Sequence, residues 1–397
     1  MLSLPFNRSL IILLSGFLVY VIRLSTKRNK VTNHAKLFAT IKSILHPPNA
    51  AVRQLLEERA WANQRLVHAL GLSNTFVSAD EGVHKDFVVR AHRLLSGAQR
   101  RGWPRFHAVA RDAVQWQLNG AAEGLHSVPG EYSGEYSYST AIQTITLYVV
   151  LVALLGIEDV PAYADVRTAA AEITALWAQS KGGAVVPPAR VAVLHECLRR
   201  LAPDAEAFPA PVDFIVPAWE TLWRVVAETV AHTRDAPDIE AIFEALNKHQ
   251  EDGTAARRVV AEAMRLNPPS RRIGRAAACA WVPACLAHWA PRRLVKADVS
   301  ELLQSTDLWG EDCRDFSPAR HGSLLPAQKE AMACAFGQGP LRCIASSWAP
   351  MAAAMIVAAI LEEYTVLSGE DIGGREGWSG WALRRKMDRG GPDALAQ

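Results

Sequence analysis

Phe336-Gly337-Gln338-Gly339-Pro340-Leu341-Arg342-Cys343-Ile344-Ala345 stands near the C-terminus, ahead of a long alanine-rich stretch of helical composition. Two glycines and a proline in so short a span signal a tight loop. The loop delivers one cysteine to what reads as a helix N-terminus. A thiolate there is stabilised by backbone N–H groups and the positive helix end, which makes Cys343 a candidate metal ligand. The competing reading is a structural cysteine beside a glycine-rich turn, since buried free cysteines are common.

Two further motifs stand upstream. Glu262-Ala263-Met264-Arg265 lies in Val259–Leu266, which reads as a helix stopped by Asn267-Pro268-Pro269. Residues three apart share a helix face, so Glu262 and Arg265 can pair. Trp309-Gly310 and then Phe316-Ser317-Pro318-Ala319-Arg320 follow. A carboxylate bridging two guanidiniums suits bidentate Arg geometry. A lone Glu/Arg pair of this kind is common on solvated helix faces; the ordered set of segments is far more specific.

In this order the segments resemble those of the cytochrome P-450 family, whose loop reads F-G-x-G-x-R-x-C-x-G and whose upstream motifs are E-x-x-R and F-x-P-x-R. The loop departs at two places, with Leu341 at the Arg position and Ala345 at the final Gly. The resemblance is to a short, divergent, fungal-type member. It implies a mainly α fold with small β-sheets, trimmed relative to the family. It also implies haem b with Cys343 as axial thiolate ligand, in a loop shaped by Phe336, Gly337 and Gly339, and a structural triad of Glu262, Arg265 and Arg320.

Most of the chain reads as helix. Asn49–Leu70 has helical apolar spacing, Val83–Leu95 and Pro104–Leu118 are amphipathic, and Ala141–Leu155 is apolar all round, as in a buried helix. Pro161–Ser180, Val191–Leu201 and Phe214–His232 follow. Strand signals are confined to Arg272–Val295 and to the tail around Trp378–Arg384. The stretches on either side of Phe214–His232 are short for the family, so substrate-capping elements are expected to be trimmed.

By its place before Glu262, Phe214–His232 corresponds to the family's distal helix, which carries (A/G)-G-x-(D/E)-T. This chain reads Pro217-Ala218-Trp219-Glu220-Thr221. An acid followed by a hydroxyl suits dioxygen activation: Thr221 would order water and Glu220 would relay protons. The alternative is a polar pair on a packed helix. Pro217 and Ala218 replace the small residues of the family groove, and proline kinks a helix. Trp219 and Trp223 lie four apart, so one is expected to face substrate. For the haem propionates, Arg275 matches one family position and His84 another. Trp103-Pro104-Arg105-Phe106-His107 is a rival for the second, and Arg342 a candidate substitute for the cation that Leu341 lacks.

The 397 residues are half hydrophobic, with mean hydropathy +0.03 and net charge +3, so nothing suggests nucleic acid. Six cysteines at irregular spacings, with no C-x-x-C, argue against zinc and against a disulfide framework. An apolar run at Ser9–Ile22 is followed by Arg23, Lys27, Arg28 and Lys30. Residues 1–30 therefore read as a membrane anchor with the bulk of the chain cytosolic. A signal peptide is the competing reading, disfavoured because the basic flank is on the wrong side. The resemblance points to the endoplasmic reticulum, with His46-Pro47-Pro48 as hinge and residues 31–397 as a haem-binding catalytic domain.

Three functions remain open. The first is a membrane-anchored monooxygenase fed from NADPH by a flavoprotein reductase, acting on a lipophilic small molecule in secondary metabolism. The second is a haem enzyme that rearranges, dehydrates or cyclises its substrate without reductant. The third is a non-catalytic haem-binding or scaffold protein.

Overall fold

Helices dominate the computed structural model, which describes residues 34–124, 135–183, 185–234, 236–249, 253–278, 291–369, 372–375 and 377–386. The chain begins with α1 (residues 34–45), α2 (Val52–Asn63), α3 (Arg65–Leu70) and the long α4 (Glu81–Gly124). Strand β1 (Glu135–Ser137) leads into α5 (Tyr138–Val149), which widens into a π-helical turn at Val150–Leu154. Helices α6 (Tyr163–Lys181), α7 (Pro188–Leu201), α8 (Val212–Trp219), α9 (Leu222–Ala231), α10 (Pro237–His249) and α11 (Thr254–Leu266) follow. Next come β2 (Arg272–Ala278), β3 (Arg292–Asp298), α12 (Val299–Leu303), α13 (Thr306–Trp309) and α14 (Pro326–Cys334). The chain closes with α15 (Ala349–Glu363), β4 (Tyr364–Leu367) and β5 (Ala382–Arg385).

The core is built around α15. Every residue from Met351 to Leu361 is buried. Its alanines let α4, α9, α10 and α11 pack against it on all sides, where larger side chains would overpack. Helix α5 is likewise buried nearly all round and packs on α4, α6 and α9. Helix α9 is thus held between α5, α11 and α15. The sheets are small and antiparallel. One has the order β1-β5-β4, with Leu383 opposite both Tyr136 and Val366; the other pairs β2 with β3 from Arg272↔Asp298 to Ala278↔Arg292.

Four sequence expectations change. The two amphipathic helices at 83–95 and 104–118 join into α4, kinked at Gly102 (φ 77°, ψ 163°). Glycine adopts that conformation freely, and Pro104 fits the first turn beyond it, where no N–H is needed. The stretch 49–70 divides at Gln64 into α2 and α3.

The expected distal helix splits into α8 and α9 at Glu220-Thr221. Pro217 cannot donate to the carbonyl of Asp213, and the Asn74 side chain fills that place at 2.8 Å. The Arg224 guanidinium donates to the Glu220 carbonyl (Nε, 3.2 Å), and a side chain inserted into the ladder in this way breaks a helix.

Fourth, the helix after the cysteine loop begins at Ala349 rather than at Cys343. Residues 344–348 form successive turns, and Pro350 occupies the first turn of α15, where a proline is tolerated. The helix N-terminus therefore does not contact Cys343 directly. No helix among the described residues is long and apolar enough to cross a membrane. The apolar run at Ser9–Ile22, like Cys279 and Cys285, lies outside the described residues.

Candidate functional site

The cysteine loop is closed by its own backbone. Cys343 N–H donates to Phe336 O at 2.7 Å, and Gly337 N–H donates to Cys334 O at 3.0 Å. Gly337 (φ 81°) and Gly339 (φ 64°) take left-handed conformations that side chains resist. A Cβ on Gly339 would also lie 2.5 Å from the His46 ring, so the chain after α1 packs directly on the loop. Cys343 is exposed, whereas Cys197, Cys313 and Cys334 are buried. Surrounding protein still desolvates its thiol and raises its pKa, against the lowering effects of the Ala345 N–H and the Arg342 charge. The sulfur is thus recessed but reachable.

A second feature is a buried ionic cluster on α11. Arg265 grips Glu262 with both arms, Nε to Oε2 at 2.8 Å and Nη2 to Oε1 at 2.9 Å, with neither side chain exposed. Arg320 donates to Oε1 at 2.8 Å and Ser317 N–H to the same oxygen at 3.0 Å. His321 Nε2 sits 2.8 Å from Oε2. Arg265 also donates to the carbonyls of Leu303 (3.0 Å) and Cys313 (2.6 Å). Burial alone would raise the Glu262 pKa; hydrogen bonds from Arg265, His321 and Ser317 outweigh it and bring it down to about 2. The structure thus unites Glu262, Arg265 and Arg320. Sequence reading overlooked His321 and Ser317, and the placement of His321 directly after Arg320 was the available signal.

On the distal segment, Glu220 is held between two guanidiniums, Arg224 (Nη2 to Oε2, 2.9 Å) and Arg375. Arg224 in turn reaches Pro269 O at 2.6 Å. Thr221 is half-buried at the helix break, and its side chain makes no capping bond. Trp219 and Trp223 are both buried, and Trp219 Nε1 donates to Gln143 O on α5 at 3.0 Å. They are packing residues, contrary to the expectation that one faces substrate.

Further along α9, burial raises the Glu228 carboxyl to about 7, despite a bond from Gly374 N–H. Burial lowers His232 to about 4; Glu262 acts in the opposite direction, and the ring stacks on Phe316 at 4.1 Å. These two groups oppose each other in pH dependence. His232 gives stability that is full above 6.5 and lost as pH falls through about 4. Glu228 gives stability that is full below 4.5 and lost as pH rises through about 7. We expect a nearly flat melting temperature between these limits. His232→Phe should uncover stabilisation on acidification, and Glu228→Gln the reverse, each at most about 1.4 kcal/mol per pH unit. Parallel pH profiles for wild type and both variants would contradict this.

The loop at residues 73–76 ties α8 to the start of α4. Asp213 accepts from Ser73 N–H (2.8 Å) and Asn74 N–H (3.1 Å). Thr75 O accepts Arg59 Nη2 at 2.6 Å, and Thr75 Oγ1 meets both Arg59 and His84 Nδ1, the latter at 2.8 Å. Arg275 lies close enough to depress the Arg59 pKa. The structure therefore brings Arg275 and His84 to one place, around Arg59, which sequence reading overlooked. The rival segment is elsewhere: His107 is buried against Asn247 (2.7 Å), and Trp103 stacks on Trp348. Arg342 is exposed.

A porphyrin iron with one cysteine ligand needs a reachable thiol and cations for two propionates. The recessed Cys343 thiol meets the first need. The second is met by two guanidiniums, Arg59 and Arg275, each buried with an unpartnered Nε among the described residues. The residues present fit the group.

No family model matches the sequence. Partial similarity connects it to curated proteins. A cytokinin hydroxylase of Arabidopsis thaliana is 26% identical over 161 residues, covering 39% of this chain and 28% of that protein. A second cytokinin hydroxylase of the same plant is 25% identical over 154 residues, covering 37% and 27%. A putative cytochrome P450 of Caenorhabditis elegans is 32% identical over 75 residues, covering 19% and 15%. The chain matches 15 to 28% of the length of these relatives. The similarity is distant and partial, one of these proteins is named as a cytochrome P450, and the mainly helical fold with small antiparallel sheets is consistent with a P450-like fold.

Proposed function

We propose that this chain is a haem–thiolate monooxygenase that inserts one oxygen atom from dioxygen into a lipophilic small molecule. Its electrons would come from NADPH through a flavoprotein reductase. The setting would be secondary-metabolite biosynthesis at the endoplasmic-reticulum membrane. The observation that carries this reading is the joint presence of the reachable Cys343 thiol on its glycine loop and the buried Glu262–Arg265–Arg320 cluster. Two of the partial relatives are named as hydroxylases, the same reaction class.

Haem held by a cysteine thiolate would supply the dioxygen binding and O–O bond cleavage. Cys343 would hold the iron, with Phe336, Gly337 and Gly339 shaping its loop. His84 and Arg275 would serve the propionates. Thr221, at the helix break, would order a water molecule with its hydroxyl. Glu220 would pass protons inward, which requires its ion pair with Arg224 or Arg375 to open. The test is the optical spectrum of the purified protein, reduced and exposed to carbon monoxide. A thiolate-type haem spectrum, together with NADPH-dependent turnover, is expected; haem-free protein would reject the reading.

The clamped Glu220 and the two packed tryptophans favour a second reading, a rearrangement, dehydration or cyclisation that needs no reductant. Thr221→Ala separates the two. In a monooxygenase, product should fall by about 10²–10⁴-fold while NADPH consumption continues and hydrogen peroxide accumulates. A rearranging enzyme would form product without NADPH, and the variant would release no peroxide.

A further inference from the structure

Two like charges share one buried corner of this protein. Arg59, on α2, is 6% exposed, and Arg275, on β2, is 5% exposed. No carboxylate among the described residues forms an ion pair with either. Glu58 draws on Arg275 through space, but its Oε1 accepts from Gln54 at 2.9 Å. Among the described residues, Arg275 donates only to its neighbour's carbonyl, Gly274 O, at 2.8 Å. Arg59 spends one nitrogen on Thr75 and lies over the Phe76 ring at 5.2 Å. Both Nε groups are buried with no partner among the described residues. A buried guanidinium without a counter-charge is costly, and two side by side are costlier. Desolvation and mutual repulsion hold the Arg59 pKa down to about 9, and desolvation holds Arg275 down to about 10. Such a corner calls for a dianion whose oxygens accept from planar forks.

The proximal loop has the opposite defect. Leu341 stands where a cation is expected, and Arg342 is exposed. Resting on the haem reading above, we propose that Arg59 binds a haem propionate, paired with Arg275, and replaces the cation absent from position 341. Thr75 accepts from the Arg59 fork and is itself held by His84. Through Asn74 and Asp213, that fork is also tied to α8. Haem occupancy therefore anchors the start of the distal segment.

The test uses haem-loaded protein and measures haem transfer to an apo-globin scavenger. Arg59→Met keeps the bulk and removes the charge. It should release haem on the order of 10- to 100-fold faster than wild type. Haem with methyl-esterified propionates should leave wild type and Arg59→Met at similar rates, because it offers the fork no anion. The apo-proteins give an independent sign: Arg59→Met should raise the apo melting temperature while lowering that of the haem form, whereas a purely structural arginine would lower both. Arg59→Lys covers the case in which Arg59→Met does not accumulate. One ammonium cannot reproduce the fork, so haem loss should again be faster than in wild type. Unchanged haem release in either variant, with a thiolate-type spectrum retained, would overturn the Arg59 assignment alone. Wild-type protein that takes up no haem would overturn the haem reading, and this inference with it.

Discussion

Arg265→Ala is expected to leave little soluble protein. The guanidinium fills both oxygens of Glu262, bonds the carbonyls of Leu303 and Cys313, and lies over the Trp309 ring at 5.0 Å. Alanine would strand a buried carboxylate and two buried carbonyls. Breaking a buried pair costs about 3–5 kcal/mol, against a total stability of about 5–15 kcal/mol for a typical protein. Arg320 and His321 would still contact Glu262, but neither bonds the orphaned carbonyls of Leu303 and Cys313. Arg265→Lys keeps the charge without the fork and should lie between. Soluble yield and thermal melting are the measurements, and a soluble Arg265→Ala protein with normal melting would refute this role. The same cluster predicts an acid limit. Because Glu262 titrates at about 2 in the fold against 4.5 ordinarily, its contribution is present above 4.5 and lost as pH falls through about 2.

Cys343→Ala should abolish the thiolate-type spectrum and most bound haem. Among the described cysteines it is the exposed one, and its loop is closed on Phe336. Cys334→Ala is the control. Cys334 is buried, contacts Glu330 O and Gln338 Nε2 through its sulfur, and belongs to α14. That variant should cost stability while keeping the spectrum. A Cys343→Ala protein with an unchanged thiolate-type spectrum would remove the basis of the functional proposal.

Much of the fold was legible because its signals are local. The apolar run at 141–155, the double proline after α11 and the glycines of the cysteine loop each dictate backbone behaviour within a few residues. The spacing of Glu262 and Arg265 likewise determined that they could pair. Their third and fourth partners, Arg320 and His321, are brought in by a 3₁₀ turn at Pro318–Gly322 that packs on α11.

What the sequence did not reveal depends on contacts between distant segments. The split of the distal helix needs Asn74 to take the place Pro217 vacates and Arg224 to draw on Glu220 O. The clamp on Glu220 needs Arg375, far along the chain. The choice between His84 and His107 is similar: both are single histidines in α4, and only packing puts one beside Arg59 and the other against Asn247. Arg59 itself carries no sequence signal, because an arginine in an ordinary helix reads as a solvated side chain. Its meaning comes from burial beside Arg275. The cost of a buried, unneutralised charge is a property of the surroundings, and only the tertiary structure determines those.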